Sequence, residues 1–292
     1  MGDIFIELKQ HFRRGNALKR LIMVNMAVFV VLGLLQVIGD LFKLSGLSLA
    51  DLFSLSSNPM ELLFRPWTLF TYMFLHSGFM HILFNMLWLY WFGVLFLQIF
   101  TEKQMVALYL FGGLAGAFLY LLAYNTIPFF EGQASTMVGA SAAVLAIVCA
   151  TAFRIPDHTV QLLFVGSVKL KYIALFSILI DLLSVTSSNA GGHIAHLGGA
   201  ALGYFFVFGL GKGFDLTSRF NKIIDYILGL FSIKPKSKLK VKYKRPETDD
   251  EFRARRSNDN KELDKILDKL KKSGYDSLSP NEKRFLFDAS RK

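Results

Sequence analysis

The sequence predicts an all-α membrane protein, a bundle of six transmembrane helices followed by a cytoplasmic tail with helices of its own. Three observations carry this. Hydrophobic residues make up 53% of the 292-residue chain and charged residues 19%, with a mean hydropathy of +0.40, values that do not suit a soluble globular protein. Six stretches, 21–38, 80–100, 105–124, 138–153, 172–185 and 193–210, are apolar and long enough to cross, or nearly cross, a hydrocarbon core that takes ~20 helical residues. The charge is also unevenly divided: from Lys212 onward there are 22 Lys/Arg and 13 Asp/Glu, net +9, while the preceding body carries 11 and 9, net +2. The overall charge of +11 therefore belongs to the tail and is a poor argument for a nucleic-acid partner. Cys149 stands alone, which excludes a disulfide framework or a thiolate metal cluster within the chain.

The elements follow in order. Residues 1–20 form a basic segment carrying Lys9, Arg13, Arg14, Lys19 and Arg20. The first span lacks a small-residue cleavage site before Asp40 and is expected to be retained. Lys103, Arg154, Lys169 and Lys171 mark the connections after spans two and four, whereas the opposite side has only Lys43 and Arg65. Both termini are therefore expected in the cytoplasm, with spans two, four and six entering from the outer face. The connection 40–79 is too long for a turn and contains apolar pieces at 47–55 and 60–72; it is expected to be a structured outer loop with Trp67 as an interfacial anchor. Spans four and five are short, and the apolar run 160–168 before span five is ambiguous. Residues 21–210 thus form the membrane domain.

Residues 211–260 read as an amphipathic helix followed by a basic linker. Phe220, Ile223, Ile224, Ile227, Leu228 and Phe231 fall on one helical face, and residues 234–245 place a basic group at nearly every second position, suited to anionic lipid at a membrane surface or to a solvated linker. Residues 261–292 read as a small helical hairpin, with a stripe of Leu263, Ile266, Leu267 and Leu270, a stop at Gly274 and a capping box at Ser279 and Glu282 around Pro280.

Polar residues inside the spans carry the chemistry. His76, His81, Asn85, Ser141, Asp181, His193 and His196 lie in or beside apolar segments, where a charge costs roughly 2.5–3.5 kcal/mol, so they should face the bundle interior or water. His81 and Asn85 are four apart on one face of span two. Ser141 lies at the outer end of span four and His196 at the outer end of span six, so the parity of the spans brings all four to similar depth. Gly139 beside Ser141, and Gly199 and Gly203 on span six, permit close helix approach. Serine and histidine within reach of each other form the minimum unit of an activated nucleophile, and His81 with Asn85 can donate to an oxyanion, joined by the Ser141 backbone N–H.

Over roughly residues 67–204 these residues resemble the rhomboid family of intramembrane serine proteases. The likeness lies in H-x-x-x-x-H-x-x-x-N at His76, His81 and Asn85, G-x-S at Gly139 to Ser141, and H-x-G-G-x-x-x-G at His196, Gly198, Gly199 and Gly203. It implies a rhomboid-like six-helix bundle in which Ser141 is the nucleophile, His196 its base, and His81 with Asn85 the oxyanion donors, in a dyad without Asp. It further implies hydrolysis of transmembrane protein substrates with no cofactor and no metal; the chain is expected to be a multi-pass protein of a bacterial inner membrane. The chain departs from the family pattern at Ala142, where Gly is usual, at Leu145, where an aromatic ring often supports the histidine, and at Thr68 after Trp67.

Each residue also has a plainer reading. An isolated serine in a transmembrane helix most often bonds back to its own backbone, and it is the surrounding motif that reverses this for Ser141. His76 and His193 are expected to support rather than catalyse, Asp181 to be a bundle-facing acid bonded to a neighbouring hydroxyl, and Cys149 to pack. The competing functions are a catalytically silent rhomboid-like protein that binds membrane clients and a metal-ion carrier using the histidines. The carrier is disfavoured because no carboxylate stands at ligand spacing with them in the sequence.

Overall fold

The computed structural model describes residues 14–43, 49–162, 166–218 and 248–289, together with Glu7, Gln10, Phe12, Phe220 and Lys222. The chain divides into two units, Met1–Ile233 and Lys234–Lys292. In the first, α1 (Ala17–Leu41) is followed by a loop region containing α2 (Leu49–Phe53), β1 (Leu55–Ser56), α3 (Pro59–Phe64), α4 (Thr68–Thr71) and a 3₁₀ turn, Tyr72–Phe74. Then come α5 (Phe79–Leu97), α6 (Glu102–Thr126), β2 (Thr136–Met137), α7 (Ser141–Arg154), β3 (Thr159–Leu162), β4 (Gly166–Lys169), α8 (Leu170–Leu183) and α9 (Ala190–Gly211). Six helices thus stand where six spans were read. Four of them, α1, α5, α6 and α9, are long and apolar enough to cross a membrane; α7 is apolar but shorter. Large apolar side chains such as Leu34, Phe84, Leu175 and Phe205 are exposed on α1, α5, α8 and α9, a surface that suits lipid and not water.

Helix α7 explains how a short apolar helix is tolerated. Residues 142–152 are all buried, because α5, α6, α8 and α9 pack around them, so its side chains meet protein on every side. It stops at Arg154 because Pro156 cannot continue a helix. Its contacts with α6 and α9 are made through small residues. A methyl group on Gly116 of α6 would lie 2.7 Å from Ala142 Cβ and 2.9 Å from the Ala195 carbonyl oxygen, so three backbones converge there. Gly199 and Gly203 of α9 abut the carbonyl oxygens of Ala142 and Ala146.

The loop between α1 and α5 is tied to the chain just before α7. β1 pairs antiparallel with β2, matching Leu55 with Met137 and Ser56 with Thr136, and the Ser57 N–H donates to the Ser135 carbonyl at 2.9 Å. Trp67, expected as an interfacial anchor, is partly exposed and also donates its indole N–H to the Leu52 carbonyl, while Thr71 Oγ1 donates to Phe53. Thr68, next to Trp67, closes its own turn by donating to the Arg65 carbonyl.

One reading is refined and one needs correction. The protein is mostly helical, as expected, with two short antiparallel pairs added: besides β1–β2, strands β3 and β4 match Thr159 with Lys169 and Leu162 with Gly166. A short apolar run has no periodicity to separate strand from helix, and here β-branched Thr159, Val160 and Val168 with Gly166 favour strands. In the second unit the first helix starts at Asp249, inside the stretch read as linker, since Thr248 and Glu251 form a capping box ahead of any apolar stripe. That helix, α10 (Asp249–Ser273), ends at Gly274 with φ 77°, a conformation that favours glycine. A 3₁₀ turn and α11 (Pro280–Ala289) follow, started by reciprocal bonds between Ser279 and Glu282. The proposed amphipathic face from Phe220 to Phe231 and the basic run 234–245 lie, apart from Phe220 and Lys222, outside the described residues.

Candidate active site

Ser141 is the first residue of α7, and the chain reaches it through a fixed turn. The Gly139 N–H donates to the Tyr72 carbonyl at 2.9 Å, and its φ of 136° is one that residues with a side chain rarely adopt. A methyl group there would also lie 2.9 Å from His81 Nε2 and 3.5 Å from Ser141 Oγ. Glycine is thus required twice, for the turn and for the space that His81 and Ser141 share. Because Ala140 caps α7 without a side-chain acceptor, the first N–H groups of the helix, including that of Ser141, have no cap and stand at the positive end of its dipole.

His81 is held by a residue the sequence reading passed over. Ser77 donates its backbone N–H to His81 Nδ1 at 3.3 Å, and its hydroxyl lies 3.0 Å from the same nitrogen. A nitrogen that accepts a backbone N–H carries no proton, so neutral His81 is protonated on Nε2, the atom beside Gly139 and Ser141. His81 therefore presents an N–H donor towards the serine. His76 packs edge-on against His81, with ring centroids 5.2 Å apart, and among the described residues neither of its buried ring nitrogens meets a partner in good hydrogen-bond geometry. Asn85 lies one turn along α5, buried, and its Nδ2 donates to the His81 carbonyl at 2.8 Å. One of its two N–H groups is thus committed to its own helix.

His196 lies near the start of α9, between Ala195, which meets Gly116, and Gly199, which meets Ala142, the residue after Ser141. It is near enough to His81 for the two rings to interact electrostatically. Its Nδ1 is 2.8 Å from Asp181 Oδ1 on α8, and His193 Nδ1 is also 2.8 Å from that oxygen. The expectation that Asp181 bonds to a neighbouring hydroxyl is corrected here, since its partners are the two histidines. The Asp181 side chain is 8% exposed, while the histidine side chains are about a fifth exposed. Among the described residues the Ser141 hydroxyl makes no hydrogen bond, and the ring nitrogen that His196 has left for it is Nε2. The supporting aromatic ring absent at Leu145 is not replaced on α7; His196 instead has the ring of His193 edge-on at 5.9 Å and 81°.

The triad of Asp181, His193 and His196 also corrects the reason for setting a metal aside, because its three donor atoms lie within 4.8 Å of one another. The two contacts at 2.8 Å are those of N–H···O hydrogen bonds, shorter than the ~3.3 Å between neighbouring ligands around a tetrahedral ion with bonds near 2.0–2.1 Å. The arrangement fits two protons shared on one oxygen better than an ion.

A membrane-embedded helical bundle that brings a helix-initiating serine, a donor histidine and a carboxylate-held histidine to one end defines a class of intramembrane site. Comparison gives the family. The Rhomboid domain model matches residues 64–213, and the chain belongs to the rhomboid family. It is similar to RHOMBOID-like protein 12, mitochondrial, of Arabidopsis thaliana, 36% identical over 149 residues, which cover 47% of this chain and 44% of that protein. The match thus spans less than half the length of that relative. Its name places it in mitochondria, so the likeness lends nothing to the expected bacterial inner membrane. Residues 247–292, the α10–α11 unit, match a family of unknown function, DUF6576.

Proposed function

We propose that the protein is an intramembrane serine protease that hydrolyses peptide bonds in or near transmembrane segments of other membrane proteins. The observation that carries this reading is the convergence around Gly139: His81 Nε2 and Ser141 Oγ share the space a single methyl group would fill, while Gly199 sets the helix of His196 against the residue next to Ser141. In the reaction, the Ser141 hydroxyl gives its proton to His196 Nε2 as Oγ attacks the scissile carbonyl carbon. The resulting oxyanion accepts hydrogen bonds from His81 Nε2–H, the Ser141 backbone N–H and the remaining N–H of Asn85. Collapse expels the amine, which takes the proton from His196, and water then hydrolyses the acyl-enzyme through the same base. The Ser141–His196 contact closes when substrate enters, as such bonds do in many unliganded sites.

An apolar cleft of about 1340 Å³ between α5 and α8, lined by Trp88, Trp91, Tyr172, Phe176 and the β-hairpin residues Val160 and Leu162, is suited to a substrate helix. In this reading all six helices cross the membrane, both termini lie on the inner side, and the lipid bilayer is the working medium, with anionic lipid drawn to the basic run. The test is turnover of a single-span model substrate by Ser141→Ala, His196→Ala and the double variant. All three should be equally inactive, because members of one catalytic unit are not additive. Retained cleavage in Ser141→Ala would end the reading.

The second reading is a catalytically silent protein that binds membrane clients through the same cleft. The unpartnered Ser141 hydroxyl and the Asn85 amide turned onto its own helix favour it. The same variants separate the two, since a silent protein shows no turnover to lose.

A further inference from the structure

We propose that Asp181 is a positioning residue for the base, its Oδ1 accepting the Nδ1–H of His196 so that Nε2 faces the serine site unprotonated, with His193 as the second donor that fixes the carboxylate. This rests on the protease reading for its catalytic consequence, but not for its geometry.

The arrangement is specific. Asp181 is the one carboxylate of α8, near its end in a largely apolar stretch, and a charge there costs roughly 2.5–3.5 kcal/mol unless partners are supplied. Its two partners come from the first two turns of α9, three residues apart and therefore on one face. A single oxygen takes both Nδ1 atoms at 2.8 Å, which obliges each ring to carry its proton on Nδ1. The neutral ring of His196 then has its lone pair on Nε2, the form a general base needs. The carboxylate is close enough to Cys149 of α7 for the two groups to interact electrostatically, as are His81 of α5 and His196, and α8 packs against the helix that bears Ser141. The carboxylate is the most buried of the three groups, so it holds the rings from behind and leaves them presented to the site.

When Ser141 Oγ–H passes its proton to Nε2, the ring becomes an imidazolium whose Nδ1–H stays bonded to Oδ1. No proton moves onto Asp181, whose charge steadies the ring at that moment. The role of His193 is different. Its Nδ1 is occupied by the same oxygen, and no glycine follows it in the register that lets α7 approach, as Gly199 does three residues after His196. It is a clamp on the carboxylate, and Asp181 keeps its bond to His196 without it.

The experiment uses the full chain in detergent, with Asp181→Ala, Asp181→Asn, Asp181→Glu, His193→Ala and Ser141→Ala compared on one fluorogenic single-span peptide. In parallel, ¹⁵N-histidine spectra read the tautomer of His196, assigned by its loss in His196→Ala. The expected result is kcat lower by about a hundred-fold or more in Asp181→Ala and at least about ten-fold in Asp181→Asn, with KM within about two-fold, and Asp181→Glu recovering most of the loss. His193→Ala stays within about ten-fold of the parent. The parent spectrum should show His196 protonated on Nδ1 and bare on Nε2, and Asp181→Ala should shift it towards the other tautomer. A folded Asp181→Ala or Asp181→Asn with unchanged kcat, or a parent His196 protonated on Nε2, overturns the proposal. If the Ala variant does not fold, the parent spectrum and the isosteric Asn variant decide. Cleavage that survives Ser141→Ala sinks the protease reading instead, and the tautomer still judges Asp181.

Discussion

Gly199 of α9 lies against the carbonyl oxygen of Ala142 on α7, so close that a methyl group on its Cα would overlap that atom. The contact joins the helix that starts with Ser141 to the helix that carries His196. Glycine makes it possible, and the backbone on the other side cannot retreat as a flexible side chain can.

Gly199→Ala should therefore push α7 and α9 apart. The expected cost is that of overpacking, about 1–3 kcal/mol, seen as a lower midpoint of thermal unfolding in detergent, together with loss of turnover because the serine and histidine separate. Gly33→Ala on α1 is the control: nothing stands within 4 Å of the added carbon, and its midpoint should hold. Equal behaviour of the two variants would contradict the packing described.

The donor role of His81 makes a graded prediction. His81→Ala should lower turnover by about 10²–10³ with little change in KM, as removal of one oxyanion donor does elsewhere. Ser77→Ala removes the hydroxyl but leaves the backbone N–H on Nδ1, so its loss should stay below about ten-fold. Asn85→Ala should fall between them, since one N–H of Asn85 is held by the His81 carbonyl. Steady-state kinetics of the three variants test the order, and a Ser77 effect larger than that of His81 would reverse the assignment.

Much of this site was legible because its residues sit in local patterns. His81 and Asn85 share a helix face by spacing alone, and the glycines at 139, 199 and 203 stand beside the groups they accommodate. What the sequence hid were contacts between helices. Asp181 meets His193 and His196 across 12 and 15 residues, and no periodicity links an acid near the end of one helix to histidines at the start of the next. Ser77 was overlooked for a different reason: a serine just before a helix reads as an ordinary cap, yet here it binds a ring nitrogen. The serine helix was legible as short, but only its surroundings explain why it can be.

The C-terminal unit offers a test by pH. Glu282 accepts the Ser279 backbone N–H and pairs with Lys269 at 2.9 Å, and these hold its pKa at about 2 against an ordinary 4.5. A depressed folded value means that the stabilisation is fully present above the unfolded value and is lost as the pH falls through the folded one. Amide exchange in α11 should therefore be faster in Glu282→Gln than in the parent at pH 6, with the difference closing as the pH approaches 2. Equal protection of the two proteins at pH 6 would show that the cap contributes nothing.

The central claim is that Ser141 is a nucleophile activated by His196, and covalent labelling tests it most directly. Purified full-length protein is treated with a serine-directed fluorophosphonate, and the modified residue is mapped by mass spectrometry. The account predicts a single adduct on Ser141 that is lost in Ser141→Ala and strongly reduced in His196→Ala, while His193→Ala still labels. Labelling elsewhere, or no labelling of a folded parent under conditions that modify an active serine hydrolase, would contradict it.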